Sequence, residues 1–318
     1  MSFPRTIRHP GIRHSSFRSR LLLWPLLILG AAAEPLPKDF TPPPAVLEAQ
    51  VADEGRKVWN TRFFRLDSDM PLRAAELARL SQVADSTATV LRSYPLPLFA
   101  PPAQRSRISI YKEGEDYVKA GGFHGTAGFY FARRGVVLLR GDFFVEGADK
   151  GMPPHYHEDI MAHEVVHLCM HKVNRKLPQW LVEGIAEYFS CAHLGGGRYS
   201  FSDIDNSLRN HLRSRLSPKD PGIPLEPVAG IATLDGHEWL EHVTTIANED
   251  RYQAYATALL LAHYYLHGGE ERLATLRTAL AAEKPADLIA PADGPKIQQS
   301  MSKYWKSRGL TLEFNAEK

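Results

Sequence analysis

Apolar positions recur along this chain at two periods, and the change from one to the other marks its organisation. In the first half the apolar runs are short. Thr61 to Leu66 and Arg107 to Tyr111 read as strands, and Gly128 to Phe131 and Val136 to Leu139 read as the arms of a hairpin turning at Ala132 to Gly135. A helix opened by Pro71 interrupts them. Its apolar positions are Leu72, Ala75, Leu77, Leu80, Val83, Val90 and Leu91, and the Pro-rich stretch 95–102 ends it. From residue 156 the spacing turns helical. One helix precedes residue 171, and Pro178 opens a second with Trp180, Leu181, Ile185, Ala186, Tyr188 and Phe189 apolar. Further helices are expected near 236–247, 251–267, 269–282 and 294–308. A small mixed β-sheet with a hairpin, followed by helices, predicts an α+β fold. Residues 59–150 and 151–318 then form the two parts of one domain, behind a Pro-rich linker at 34–58 with no ladder potential in its first stretch, 34–45.

Composition sharpens this picture at the amino terminus. The chain of 318 residues is 44% hydrophobic and 23% charged, ordinary material for a sizeable core. Its formal charge of +2 misleads, because residues 1–33 hold five arginines and no acid; the remainder has 33 basic against 36 acidic residues, a net of −3. The basic balance is therefore no argument for a nucleic-acid partner, and none is expected. Arg5 to Arg20, then Leu21 to Leu29, then Ala31-Ala32-Ala33 follow the order of a secretory signal peptide cut after Ala33. The mature chain is expected to be exported, periplasmic or extracellular, without stable membrane insertion. An uncleaved anchor, a mitochondrial presequence and a start codon placed too early stay open as alternatives. Cys169 and Cys191 are the only cysteines. Their offsets from the polar residues of neighbouring helices carry the sulfurs apart, so two buried free thiols are expected.

His163-Glu164-Val165-Val166-His167 carries the chemistry. On a helix the two histidines stand one turn apart on one face, where both can reach a single Zn²⁺. Glu164 lies beside that ion and can take a proton from water. The flanks, Ile160-Met161-Ala162 and Leu168-Cys169-Met170, are apolar. The histidines are thus polar groups in a buried helix and need partners. A third histidine at position 173 would mark a metzincin, but Val173 stands there. Downstream, Trp180-Leu181-Val182-Glu183-Gly184-Ile185-Ala186-Glu187-Tyr188-Phe189 puts two carboxylates one turn apart on an apolar helix, with no lysine or arginine nearby to answer them.

HExxH followed by a helix of this pattern resembles the gluzincin metallopeptidases, and is most similar to the compact secreted branch called peptidase-MA-like, or DUF1570-like. The resemblance covers residues 155–192 specifically and 60–270 loosely. It implies a zincin-like catalytic domain that holds one Zn²⁺ through His163, His167 and Glu183, with Glu164 as general base and Glu187 fixing the orientation of a ligand histidine. It also implies a tyrosine that donates to the oxyanion. Tyr255 matches that place better than Tyr252. The activity implied is zinc-dependent hydrolysis of peptide bonds in a peptide or protein substrate. The other class left open is a non-catalytic binding or envelope-maintenance protein on the same scaffold, with a structural or vestigial metal.

Other polar residues read more plainly. The hairpin 127–140 can offer an edge strand to an extended peptide, with Gly121, Gly122, Gly125 and Gly128 keeping that edge open, or be an ordinary Gly-rich hairpin. His155 and His157 read as solvated loop residues, His171 as a charge at a helix end, and the arginines of 209–215 as a solvated helix face. His263 and His267 read as ordinary packing. Gly184 lets its helix approach a neighbour, and Trp180 belongs to the core.

Overall fold

The computed structural model describes residues 38–316, apart from 45–46, 49–50, 54, 104, 145–153, 217–221, 247–249 and 284–286. The leader expected at 1–33 lies outside these residues. No helix among them is long and apolar enough to cross a membrane.

The first part of the chain builds a sheet around two helical crossings. Strands β1 (Asp39–Phe40), β2 (Val51–Asp53), β3 (Arg56–Asn60) and β4 (Phe64–Ser68) lead into helix α1 (Ala74–Ser93). Then come β5 (Ser106–Tyr111), α2 (Gly114–Lys119), β6 (Gly128–Phe131), β7 (Val136–Arg140) and the short α3 (Gly141–Phe144). Six strands pair in the order β2-β3-β4-β5-β7-β6. The β4–β5 and β5–β7 pairs are parallel and the rest antiparallel, so the sheet is mixed and β6 is an edge.

The second part is mostly helical: α4 (Pro154–Cys169), the short α5 (His171–Asn174), α6 (Gln179–Ala192), then β8 (Tyr199–Ser200) and α7 (Ile204–Leu216). Strand β9 (Gly222–Leu225) precedes α8 (Val228–Ala232), α9 (Gly236–Thr245), α10 (Tyr252–His267), α11 (Glu270–Ala281), α12 (Gly294–Lys306) and β10 (Thr311–Phe314). The architecture is α+β. Residues from Pro35 onward form one compact unit.

Several boundaries differ from the expectation, each for a local reason. The strand expected at Thr61 starts only at Phe64. The Thr61 N–H donates to the Phe64 carbonyl at 2.8 Å and the Phe64 N–H donates back to Thr61 Oγ1 at 3.0 Å, closing a turn between β3 and β4. The linker expected at 34–58 contains β1, β2 and the first three residues of β3. Val58 and Trp59 of β3 are buried. Asp39 and Phe40 pair antiparallel with Ser200 and Tyr199, since the prolines at 42–44 follow that pair instead of interrupting it. Helix α7, foreseen only as an arginine face, buries Ile204, Leu208 and Leu212 at four-residue spacing. His157, expected in solvent, is buried in α4 with its ring 5.7 Å from that of Phe143.

The core that positions the site is α4 against α1 on one side and α6 on the other, with α10 beyond α6. Gly184 makes the last contact possible. A Cβ there would sit 2.2 Å from the Ala258 carbonyl oxygen on α10, a separation that real side chains do not adopt. Trp180 is buried, as expected.

Candidate metal centre

Helix periodicity brings His163 and His167 of α4 together. Their Nε2 atoms face each other at 3.0 Å. Helix α6 begins after Pro178, whose extended ψ of 147° sets the chain up for the helical turn, and it delivers Glu183 to the same point. Glu183 Oε2 lies 3.4 Å from Nε2 of His163 and 3.4 Å from Nε2 of His167. The three ligand atoms lie within 4.8 Å of one another. Two imidazole nitrogens that face each other share at most one proton, and a carboxylate oxygen beside both leaves lone pairs converging on one point. Such a donor set fits a divalent ion that favours nitrogen and oxygen ligands.

Each ligand is held from behind. Gln179, one turn earlier on α6, donates its Nε2 to Glu183 Oε1 at 2.7 Å. His163 Nδ1 lies 3.1 Å from Glu187 Oε1. The Tyr252 hydroxyl donates to Glu187 Oε2 at 2.7 Å, and His211 Nε2 lies 3.2 Å from the same oxygen. Tyr130 stacks on the His167 ring at 5.7 Å, while its hydroxyl shares a 2.5 Å hydrogen bond with His171 Nδ1.

Electrostatics divide the three glutamates. Burial works against ionising Glu183, yet His167 and His163 outweigh it and hold the carboxyl down to about 2. Burial likewise opposes ionisation of Glu187, but His163 and His211 pull it well below the ordinary range. Glu164 goes the other way. Its burial dominates over the neighbouring imidazoles and raises its pKa, which suits a group that must accept and return a proton. At His163 burial disfavours the cation, but Glu183 and Glu187 raise its pKa well above the usual value.

A cleft of about 690 Å³ opens over these residues. Strand β6 forms one wall and residues of α9 and the start of α10 form the other. Gly128, the first residue of β6, is where the sheet edge meets the catalytic candidate: a Cβ there would lie 2.9 Å from Glu164 Cγ. Tyr255 lines the cleft with its ring 6.3 Å from that of His163. Burial pushes its hydroxyl up, so it stays protonated and able to donate.

The structure therefore brings His163, Glu164, His167, Glu183, Glu187 and Tyr255 to one place. Other polar residues fall elsewhere. The side chain of His155 lies outside the described residues, and His157 packs away from the cleft. His171 opens α5 and shares its Nδ1 with the Tyr130 hydroxyl, and burial, with Arg175 and Lys172 adding to it, lowers its pKa. His263 Nε2 pairs with Asp205 at 2.8 Å and His267 Nε2 with the Tyr188 hydroxyl at 2.9 Å. Cys169 and Cys191 are buried and free. Glu187, Cys191 and His211 also bring ligand atoms within 4.8 Å of one another. The Tyr252 hydroxyl already donates to Glu187 Oε2, and burial raises the Cys191 thiol, which makes it a poor ligand. This cluster reads as support for His163.

Sequence reasoning missed Gln179, His211 and Tyr130 and gave Tyr252 no part in the site. Gln179 had a usable signal, lying one turn before Glu183 on the same face. The others meet the site only through tertiary packing.

Residues 157–287 match the model of a family described as a protein of unknown function, DUF1570. The match takes in His163, His167 and all of α6. No curated protein matches the chain.

Proposed function

We propose that the chain is an exported zinc-dependent peptidase of the gluzincin kind. The observation that carries this reading is the convergence of His163, His167 and Glu183 at the foot of a cleft, with a carboxylic side chain of raised pKa, Glu164, beside them. Zinc held by those three residues supplies a Lewis acid and lowers the pKa of water.

The protein's own groups do the rest. The outer edge of β6 pairs with an extended peptide and presents its carbonyl to the site. Glu164 takes a proton from the attacking water at its carboxylate and returns it to the departing amine. Tyr255 donates its hydroxyl hydrogen to the oxygen that gains charge. Glu187, tied by Tyr252 and His211, keeps the His163 ring turned so that Nε2 points inward.

The test combines zinc content with cleavage of an unbiased peptide library. The mature protein is expected to carry one zinc per chain and to lose cleavage with chelator. Glu164→Gln is expected to keep zinc and lose at least ~100-fold in kcat/KM. Glu183→Ala is expected to lose zinc. A fully active Glu164→Gln ends the mechanism, and full zinc in Glu183→Ala moves the third ligand elsewhere.

A further inference from the structure

The cleft carries charge that the metal centre does not use. Among the described residues that line it, the carboxylates are Glu164, Glu183 and Glu187, and each interacts with His163. The permanent cations are Arg133, Arg215 and Arg251. Arg133 is exposed on the turn after β6. Arg215 and Arg251 belong to the helical wall. The Arg215 guanidinium lies over the Tyr252 ring, 5.5 Å from its centre, and Arg251 immediately precedes Tyr252 at the start of α10.

Arg251 is the informative one. Its Nε is buried and finds no hydrogen-bond partner among the described residues. The adjacent Asp250 does not answer it with the oxygen that accepts from Gln253 Nε2 at 2.7 Å. A guanidinium keeps its charge at every accessible pH, so the unmet donor cannot be relieved by losing a proton. Arg251 also lines the cleft, where an arriving anion can meet its guanidinium, and the planar fork of arginine matches a carboxylate with two parallel bonds. Beside it the wall is apolar, with Trp239, Leu240 and Val243.

We infer that the cleft selects peptides bearing a carboxylate, which seats on Arg251 with Arg215 beside it while a neighbouring apolar side chain lies against Trp239. The inference deepens the peptidase reading and rests on it for the class of ligand. The carboxylate comes from an Asp or Glu side chain or from the peptide's own carboxyl terminus.

The test measures binding apart from cleavage. Zinc-loaded protein carrying Glu164→Gln is titrated into a dansyl-labelled peptide, whose label bears no carboxylate, in three forms. One has an internal Glu and an amidated end, one has Gln in its place and an amidated end, and one has that Gln with a free carboxyl terminus. At least one acidic form is expected to bind about tenfold tighter than the neutral form, and the form that gains identifies the source. Adding Arg251→Gln is expected to bring the ratio to within about twofold, and Arg251→Lys, which keeps the charge and loses the fork, to an intermediate value. Equal affinity for all three forms overturns the inference without any Arg251 variant. So does a preference that survives Arg251→Gln in a protein with an unchanged melting temperature. Cleavage of the same peptides by the unsubstituted protein reads the peptidase proposal separately: absent cleavage with the affinity difference intact sinks that proposal alone.

Discussion

Gly128 shows how much a single missing side chain can decide. Its backbone is extended and accepts any residue, yet a Cβ would lie 2.9 Å from Glu164 Cγ and 3.3 Å from Ile160 Cγ2. Gly128→Ala is therefore expected to leave the zinc content intact and to displace Glu164, lowering kcat/KM by roughly 10-fold or more, since a misplacement of about 1 Å costs on that order or beyond. Unchanged kinetics in Gly128→Ala would detach Glu164 from the proposed proton transfer. The sequence showed this glycine only as one of four near an edge. The histidine pair was far more legible, because a four-residue spacing on a helix fixes two side chains on one face without help from the rest of the fold. His211 and Tyr252 were illegible for the opposite reason. They stand 24 and 65 positions from Glu187, and only the packing of α7 and α10 on α6 joins them to it.

Helix α6 does two things at once, and its sequence separates them by face. Glu183 and Glu187 point to α4, and Gly184 turns to α10. A methyl group at position 184 meets backbone, which cannot rotate away, so the two helices must part. Gly184→Ala is expected to cost about 1–3 kcal/mol of stability and to weaken zinc binding with it, because Glu183 rides on the same turn. Chemical denaturation and metal analysis of that variant check both effects; a variant as stable as the parent would mean that α10 yields easily. Pro178 and the apolar spacing of Trp180, Leu181 and Ile185 made this helix readable in advance. Helix α7 was harder. Its three buried residues are outnumbered by polar and charged ones, and arginines hide a helix whose inner face holds His211.

At the scale of the whole molecule the α+β class followed from the change of period, while the pairings that close the fold did not. Strand β10 runs parallel to β9 with Thr311 opposite Gly222 and Phe314 opposite Leu225, a contact between segments about ninety positions apart. Such registers depend on where the intervening helices set the two segments down. The same long-range packing makes the molecule sensitive to acid. Burial, reinforced by the neighbouring His263, depresses His267 from 6.5 to about 4. Above pH 6.5 folded and unfolded chains are both neutral there. Below it the unfolded chain takes up a proton that the folded one refuses, so stability falls with pH until about 4, by roughly 3 kcal/mol in all. In zinc-free protein, where ligand protonation does not interfere through the metal, the melting temperature is expected to drop between pH 7 and 4.5. His267→Gln is expected to flatten that drop, and an equally steep one would place the acid-sensitive group elsewhere.

Cys169 and Cys191 are each sealed in the interior, and burial keeps both sulfurs protonated. With no covalent bridge to form, nothing in the fold waits on an oxidant or on an isomerase. The molecule folded in a reducing compartment and the molecule folded in an oxidising one are expected to be the same, and dithiothreitol is expected to leave the melting temperature where it was.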